Sequence, residues 1–177
     1  MDATTARHLV VVLGDQLDSD SAAFEGFDPR QDVLWMAEAH PESTRVWSSL
    51  PRVAMFLAAM RHFAAEQRAT GRRVVYRALH QHDAALTLAA LLVDSIKQLR
   101  PERIICVEAG EWQLREALRA AVAGTGVAYE EREDRHFLCT HAMFAAHASG
   151  RRQLRMEYFY REMRRRERVL LDARGEP

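Results

Sequence analysis

Cysteine is nearly absent from this sequence. Only Cys106 and Cys139 occur in 177 residues, far apart and outside any CxxC pair. The chain can build neither a disulfide scaffold nor a four-cysteine zinc or iron-sulfur site of its own, and this usage fits a reducing cytoplasm. Long apolar runs are missing too: none approaches the length of a bilayer span, and Met1 to Arg7 is polar, so membrane insertion and secretion are not expected. Net charge is zero, with 25 basic and 25 acidic residues, which removes any overall attraction to nucleic acid or an anionic membrane. Glycines are absent from the spacings that phosphate binding requires. Gly14-Asp15-Gln16-Leu17 is not a dinucleotide fingerprint, and no GK[ST] loop occurs, so NAD, ATP and GTP are disfavoured. No serine sits in a GxSxG elbow and neither cysteine has a nucleophile's context, which leaves hydrolase chemistry unsupported.

What is present is enough apolar content, 48%, to bury one substantial core. Leu9 to Leu13 (LVVVL) is a continuous apolar run ending at Gly14, as expected of a strand buried on both faces. Asp32 to Ala37, Arg73 to Leu79, Arg103 to Val107 and Val127 to Glu131 supply four more strands, punctuated by Thr70-Gly71, Pro101, Gly124 and Gly126. Between them, Val53, Phe56, Leu57, Met60 and Phe63 recur at helical spacing, as do Leu86, Ala90, Val93 and Leu99, and Trp112 to Val122 forms a third, shorter helix. This alternation predicts an α/β fold: a Rossmann-like, doubly wound, five-stranded parallel sheet of order 3-2-1-4-5. It stops near residue 134. Residues 135–177 are then a helical extension to the α/β domain of residues 1–134.

In that strand order the connections of the first and fourth strands leave toward opposite faces and open a crevice at their carboxyl ends, where ligands bind. Gly14, Asp15, Gln16 and Leu17 must line it from one side, and Glu108, Ala109, Gly110, Glu111 and Trp112 from the other. Ala37, Glu38 and Glu42 follow the second strand beside them. So many carboxylates make a poor phosphate cradle and a better one for a neutral ligand rich in hydroxyl and N–H donors.

Each feature also has a plain structural explanation. Gly14 and Asp15 can be a strand-ending turn and a cap, Glu111 a favourable charge in a helix's first turn, and Trp112 a core or interface aromatic. His136, Cys139, His141 and His147, like His80, His82 and Asp83, invite a metal reading. Neither group has a four-ligand or HExxH spacing, so no metal is expected. From Arg151 to Arg168, eight arginines face Glu157, Glu162 and Glu167, while Met156, Phe159, Tyr160, Met163 and Leu170 share one helical stripe. A salt-bridged, solvated helix accounts for the charges. Contact with DNA phosphates, or packing of the stripe against a further domain, are the alternatives.

Several blocks, in order, resemble one known family. VVLGDQL (Val11 to Leu17), AAMRHFAAE (Ala58 to Glu66), GEW (Gly110 to Trp112), DRHFL (Asp134 to Leu138) and GRRQLRMEYFYREMRR (Gly150 to Arg165) are similar to the deoxyribodipyrimidine photolyase-related proteins, the iron-sulfur bacterial cryptochromes and (6-4) photolyases. The resemblance implies a light-harvesting N-terminal domain that holds the antenna chromophore 6,7-dimethyl-8-ribityllumazine. FAD, an iron-sulfur cluster and lesion binding would belong to a helical domain beyond residue 177, met through the Met156, Phe159, Tyr160 and Met163 face. It also implies that DNA is engaged only by the longer protein, whose repair chemistry this chain alone would not perform. Carried over by position, the chromophore site comprises Gly14, Asp15, Gln16, Leu17, Ala37, Glu38, Glu42, Arg45 and Gly110, with Glu42 foremost in fixing orientation. Two other readings remain from the residues themselves. The crevice can serve a stand-alone nucleotide-binding or small-molecule-binding module or enzyme, or stand empty while the C-terminal stripe mediates self-association.

Overall fold

The computed structural model describes residues 5–41, 48–80 and 85–177. They separate into two compact units, Met1–Asp134 and Arg135–Pro177. The first unit contains five parallel strands, β1 (His8–Val11), β2 (Val33–Ala37), β3 (Val74–Arg77), β4 (Arg103–Val107) and β5 (Ala128–Arg132), in the expected order β3-β2-β1-β4-β5. Leu9 sits beside Val33 on one flank and Ile104 on the other. β1 stops at Val11, two residues before its apolar run ends, because Val12 and Leu13 already lead into the turn that follows.

Side-chain alternation along the strands builds two cores. Leu9, Val11, Val33, Trp35, Ile104 and Cys106 face helices α2 (Leu88–Leu99) and α3 (Trp112–Ala123). Val12, Leu34 and Met36 face helix α1 (Leu50–Ala69), and Val10, Ile105 and Val107 meet a 3₁₀ turn at Ala22–Phe24 on that same side. Continuous β-branched and aliphatic runs are what a sheet covered on both faces demands. In the larger core the Trp35 indole N–H donates to Ser95 Oγ at 2.8 Å, and Ser95 donates in turn to the Leu91 carbonyl at 3.0 Å, so the polar edge of the ring is satisfied in a dry interior.

Helix boundaries follow local chemistry. Pro51 occupies the first turn of α1, where its missing N–H costs nothing. Thr87 caps α2 by accepting from the Ala90 N–H at 3.2 Å, and α2 ends at Leu99, followed by Arg100 as its C-cap at φ 45° just before Pro101. At the amino-terminal edge of the sheet, the fully buried Asp32 carboxylate receives both Arg7 Nε (2.9 Å) and Arg7 Nη2 (2.6 Å) together with the backbone N–H groups of His8 and Asp28. Burial pushes the Asp32 carboxyl pKa upward, but these bonds outweigh it and hold the group below its ordinary value. Asp32 is thus a fastening, at the end of the sheet opposite the crevice.

In the second unit the helical extension consists of two helices, α4 (His141–Ala148) and α5 (Met156–Glu167). The continuous stripe expected to reach Leu170 ends earlier, because Arg168 and Leu170 take positive φ angles of 55° and 51°. Thr140 caps α4 by accepting from the Met143 N–H. Phe144 and His147 of α4 pack on Phe159 of α5, with ring centroids 5.2 and 4.9 Å apart, and His147 Nδ1 lies 2.6 Å from Glu162 Oε2. Phe159 is therefore committed to its own hairpin, while Met156 and Tyr160 stay exposed. Among the described residues no helix is long and apolar enough to cross a membrane.

Candidate ligand site at the strand switch point

β1 and β4 run in register only as far as Val11 and Cys106. Beyond that pair the two chains part, β1 into the turn Leu13–Gln16, closed by the Gln16 N–H donating to the Leu13 carbonyl at 3.0 Å, and β4 into Glu108–Glu111. A cavity of about 420 Å3 opens between them, within the range of small-molecule sites. Leu13, Gly14 and Asp15 form one wall, Ala109, Gly110 and Glu111 another, and Ala37, Glu38 and Ala39 the floor after β2. Val53, Phe56, Leu57 and Met60 of α1 close the side, with Leu88, Leu114, Ser48 and Arg52 completing the enclosure.

Gly14 lies tight against α1. A Cβ there would fall 2.5 Å from Phe56 Cε1 and 2.8 Å from Met60 Sδ, so only glycine lets α1 come this close without displacing those side chains. Gly110 has no such constraint, its nearest neighbour to a Cβ being Asp15 Oδ2 at 3.9 Å.

The site is less acidic than its sequence suggests, because arginines have already claimed several of the carboxylates. Glu38 is buried and accepts from Arg61 Nε at 2.6 Å, Arg61 Nη2 at 2.8 Å, the Tyr76 hydroxyl at 2.5 Å and the Leu79 N–H at 2.9 Å. Burial alone would push its pKa up, yet the bonds from Arg61, Tyr76 and Leu79 hold it below the ordinary value. Glu38 therefore has little capacity left for a ligand, and it pins α1 and the end of β3 to β2. Glu108 is ion-paired to Arg115, which together with Arg119 also grips Glu131. Asp15, by contrast, is exposed and has no hydrogen-bond or ion-pair partner among the described residues. The outcome is a largely apolar chamber with Asp15, Glu111, Arg52 and Ser48 as polar groups.

Of the residues expected in the crevice, Gly14, Asp15, Ala37, Glu38, Ala109, Gly110 and Glu111 do come together around one cavity. Gln16 and Leu17 do not line it. The Gln16 side chain turns inward to the β4 end, and Leu17 packs in the core beneath α1. Trp112 is 67% exposed and stands outside the lining. Glu42 and Arg45 lie outside the described residues, as do His82 and Asp83. The helical spacing of Val53, Phe56, Leu57, Met60 and Phe63 identified a helix but did not place it at the cavity wall. Length carried the signal: twenty residues of α1 span about 30 Å, whereas strands of four or five residues cover only about 13–17 Å. Part of the stripe must overhang the sheet. Met60, Phe63, Ala64 and Gln67 are buried, while Phe56 is 45% exposed beside the cavity.

No cluster of three metal-ligating side chains forms among the described residues. The thiol of Cys106 is buried under the sheet, and burial pushes its pKa up to about 12, so it is not available as a nucleophile.

A sequence profile for the deoxyribodipyrimidine photo-lyase-related protein matches residues 10–177. The chain belongs to that family. It is also 39% identical over 165 residues to a (6-4) photolyase of Agrobacterium fabrum (strain C58 / ATCC 33970), an alignment covering 93% of this chain and 32% of the relative. This photo-lyase-related chain thus spans about a third of the length of that curated relative. The matched region contains both walls of the cavity and the α1 helix that closes it.

Proposed function

We propose that this chain is an antenna domain, holding a neutral fused-ring chromophore with a polyhydroxyl chain, 6,7-dimethyl-8-ribityllumazine, in the switch-point cavity. The observation that carries this reading is the chamber itself: apolar walls, an exposed phenyl ring at one side, and at the rim a carboxylate without a partner among the described residues. The residues fit such a ligand. Phe56, Leu13, Ala37 and Ala109 offer a dry surface to a flat ring, and Asp15 is an acceptor for hydroxyl groups. Asp15 and Glu111 disfavour a phosphate, against which Arg52 is the cation among the described lining residues.

When bound, the pigment supplies light absorption and passes the excitation to a flavin. The chain's own part is to exclude water and fix the ring's position, with no bond made or broken. Glu38 contributes by locking α1 against β2, which keeps Phe56 over the cavity. Membership of the photolyase-related family and likeness to a (6-4) photolyase support a longer parent in which FAD, an iron-sulfur cluster and DNA are engaged elsewhere. Exposed Met156 and Tyr160 support a role for α5 in meeting that remaining part.

The test is a fluorescence titration of the chain with the lumazine. Saturable binding is expected, weakened about tenfold or more in Phe56→Ala and in Asp15→Asn, as for the loss of one good contact. Glu42→Ala tests the position that the family resemblance ranks first. No binding of the lumazine, with tight binding of FMN or ATP instead, would replace this reading by a nucleotide-binding one.

A further inference from the structure

Gln16 is 5% exposed, yet it belongs to a turn whose neighbours Gly14 and Asp15 line the cavity. Its amide Nε2 donates to the Glu108 carbonyl at 2.9 Å and lies 3.4 Å from the Val107 carbonyl. These are the β4 residues just past the point where pairing with β1 ends. On its other flank β4 is still zipped to β5, the Glu108 N–H donating to the Arg132 carbonyl at 2.8 Å. The Gln16 side chain therefore stands in for the strand that has left, bridging a gap in the sheet that the doubly wound order creates. Its Oε1 is buried and finds no partner among the described residues, so the donor end alone defines the contact. A flipped amide would set oxygen against two carbonyl oxygens.

Resting on the antenna reading, we propose that Gln16 is a positioning residue: its amide clamps the Asp15 turn to the Gly110 loop at the separation the ligand needs, without touching the ligand. Asp15 Oδ2 already lies close to Gly110, 3.9 Å from where a Cβ would stand. Parting the loops would open the chamber at this seam and admit water.

The test uses Gln16→Met and Gln16→Glu in the full chain, with lumazine binding followed by fluorescence. Gln16→Met removes the donor at similar volume and is expected to weaken binding about tenfold, the usual range for an outer-shell partner. In Gln16→Glu the ionised side chain only accepts, and it would face the two carbonyls. Only its protonated form donates, so affinity should recover as pH falls from 8 to 5, a profile the parent chain lacks. A simple stabilising role would lower the unfolding midpoint without that pH profile, and equal affinities of all three proteins at pH 8 would overturn the clamp. If the parent chain takes up no lumazine, the antenna reading fails separately. Hydrogen exchange then decides the clamp: faster exchange over residues 13–16 and 107–111 in Gln16→Met upholds it, and unchanged exchange refutes it.

Discussion

Replacing Glu38 removes the node at which β2, β3 and α1 meet. Four hydrogen bonds end on this carboxylate, but they are not equivalent. The Arg61 side chain is 57% exposed and rehydrates when released, so its share is that of a surface pair, about 0–1 kcal/mol. The Tyr76 hydroxyl and the Leu79 N–H are partly buried donors to a charged acceptor, each contributing about 1.5 kcal/mol or somewhat more. Glu38→Ala should therefore cost roughly 3–4 kcal/mol, and Glu38→Gln, which keeps one acceptor oxygen, roughly 2 kcal/mol. The sign of the pH dependence follows from the lowered pKa of the folded state. The unfolded chain takes up the proton first, so the stabilisation is complete above the ordinary value of 4.5 and fades as pH falls through the lower, folded value. Urea unfolding followed by circular dichroism, from pH 7 down to about pH 3.5, reads both quantities. The gap between the parent chain and Glu38→Gln should narrow below about pH 4.5. A gap under about 0.5 kcal/mol at pH 7, or one that stays constant with pH, would refute the reasoning.

Two further outcomes are expected. Gly14→Val places methyl groups where Phe56 and Met60 now lie; it should abolish lumazine binding while costing only about 1–3 kcal/mol of stability, as overpacking does, and retained binding would show that the α1 wall is not part of the site. With Cys106 buried and its pKa pushed up to about 12, a thiol reagent at pH 8 should modify Cys139 alone in the native chain and both cysteines in denaturant, as counted by mass spectrometry.

The strand order was legible because each strand is a short apolar or β-branched run set off by glycine or proline, and helical periodicity alternates with the strands from Val53 to Val122. That alternation also located the crevice, since the switch point follows from topology alone. The chemistry of the crevice was less legible. Glu38 and Glu108 count as acids in the sequence, but only three dimensions show that Arg61, well separated from Glu38 in the chain, and Arg115, on the helix that follows β4, occupy them. Gln16 and Phe56 exchanged roles for the same reason. One was expected to face the ligand and instead ties two loops together, while the other sat in a stripe that looks like core until the overhang of α1 past the strands is seen. In the extension, the apolar spacing from Met156 to Leu170 suggested one helix, and the left-handed backbone at Arg168 that ends it leaves no mark in that periodicity.

A crystal structure of this chain grown with the lumazine addresses the antenna reading most directly. The ring should appear against Phe56, enclosed by Leu13, Ala37 and Ala109, with its hydroxyl chain reaching Asp15. Density for the pigment at any other place, or a chamber filled by the protein's own side chains, would contradict it.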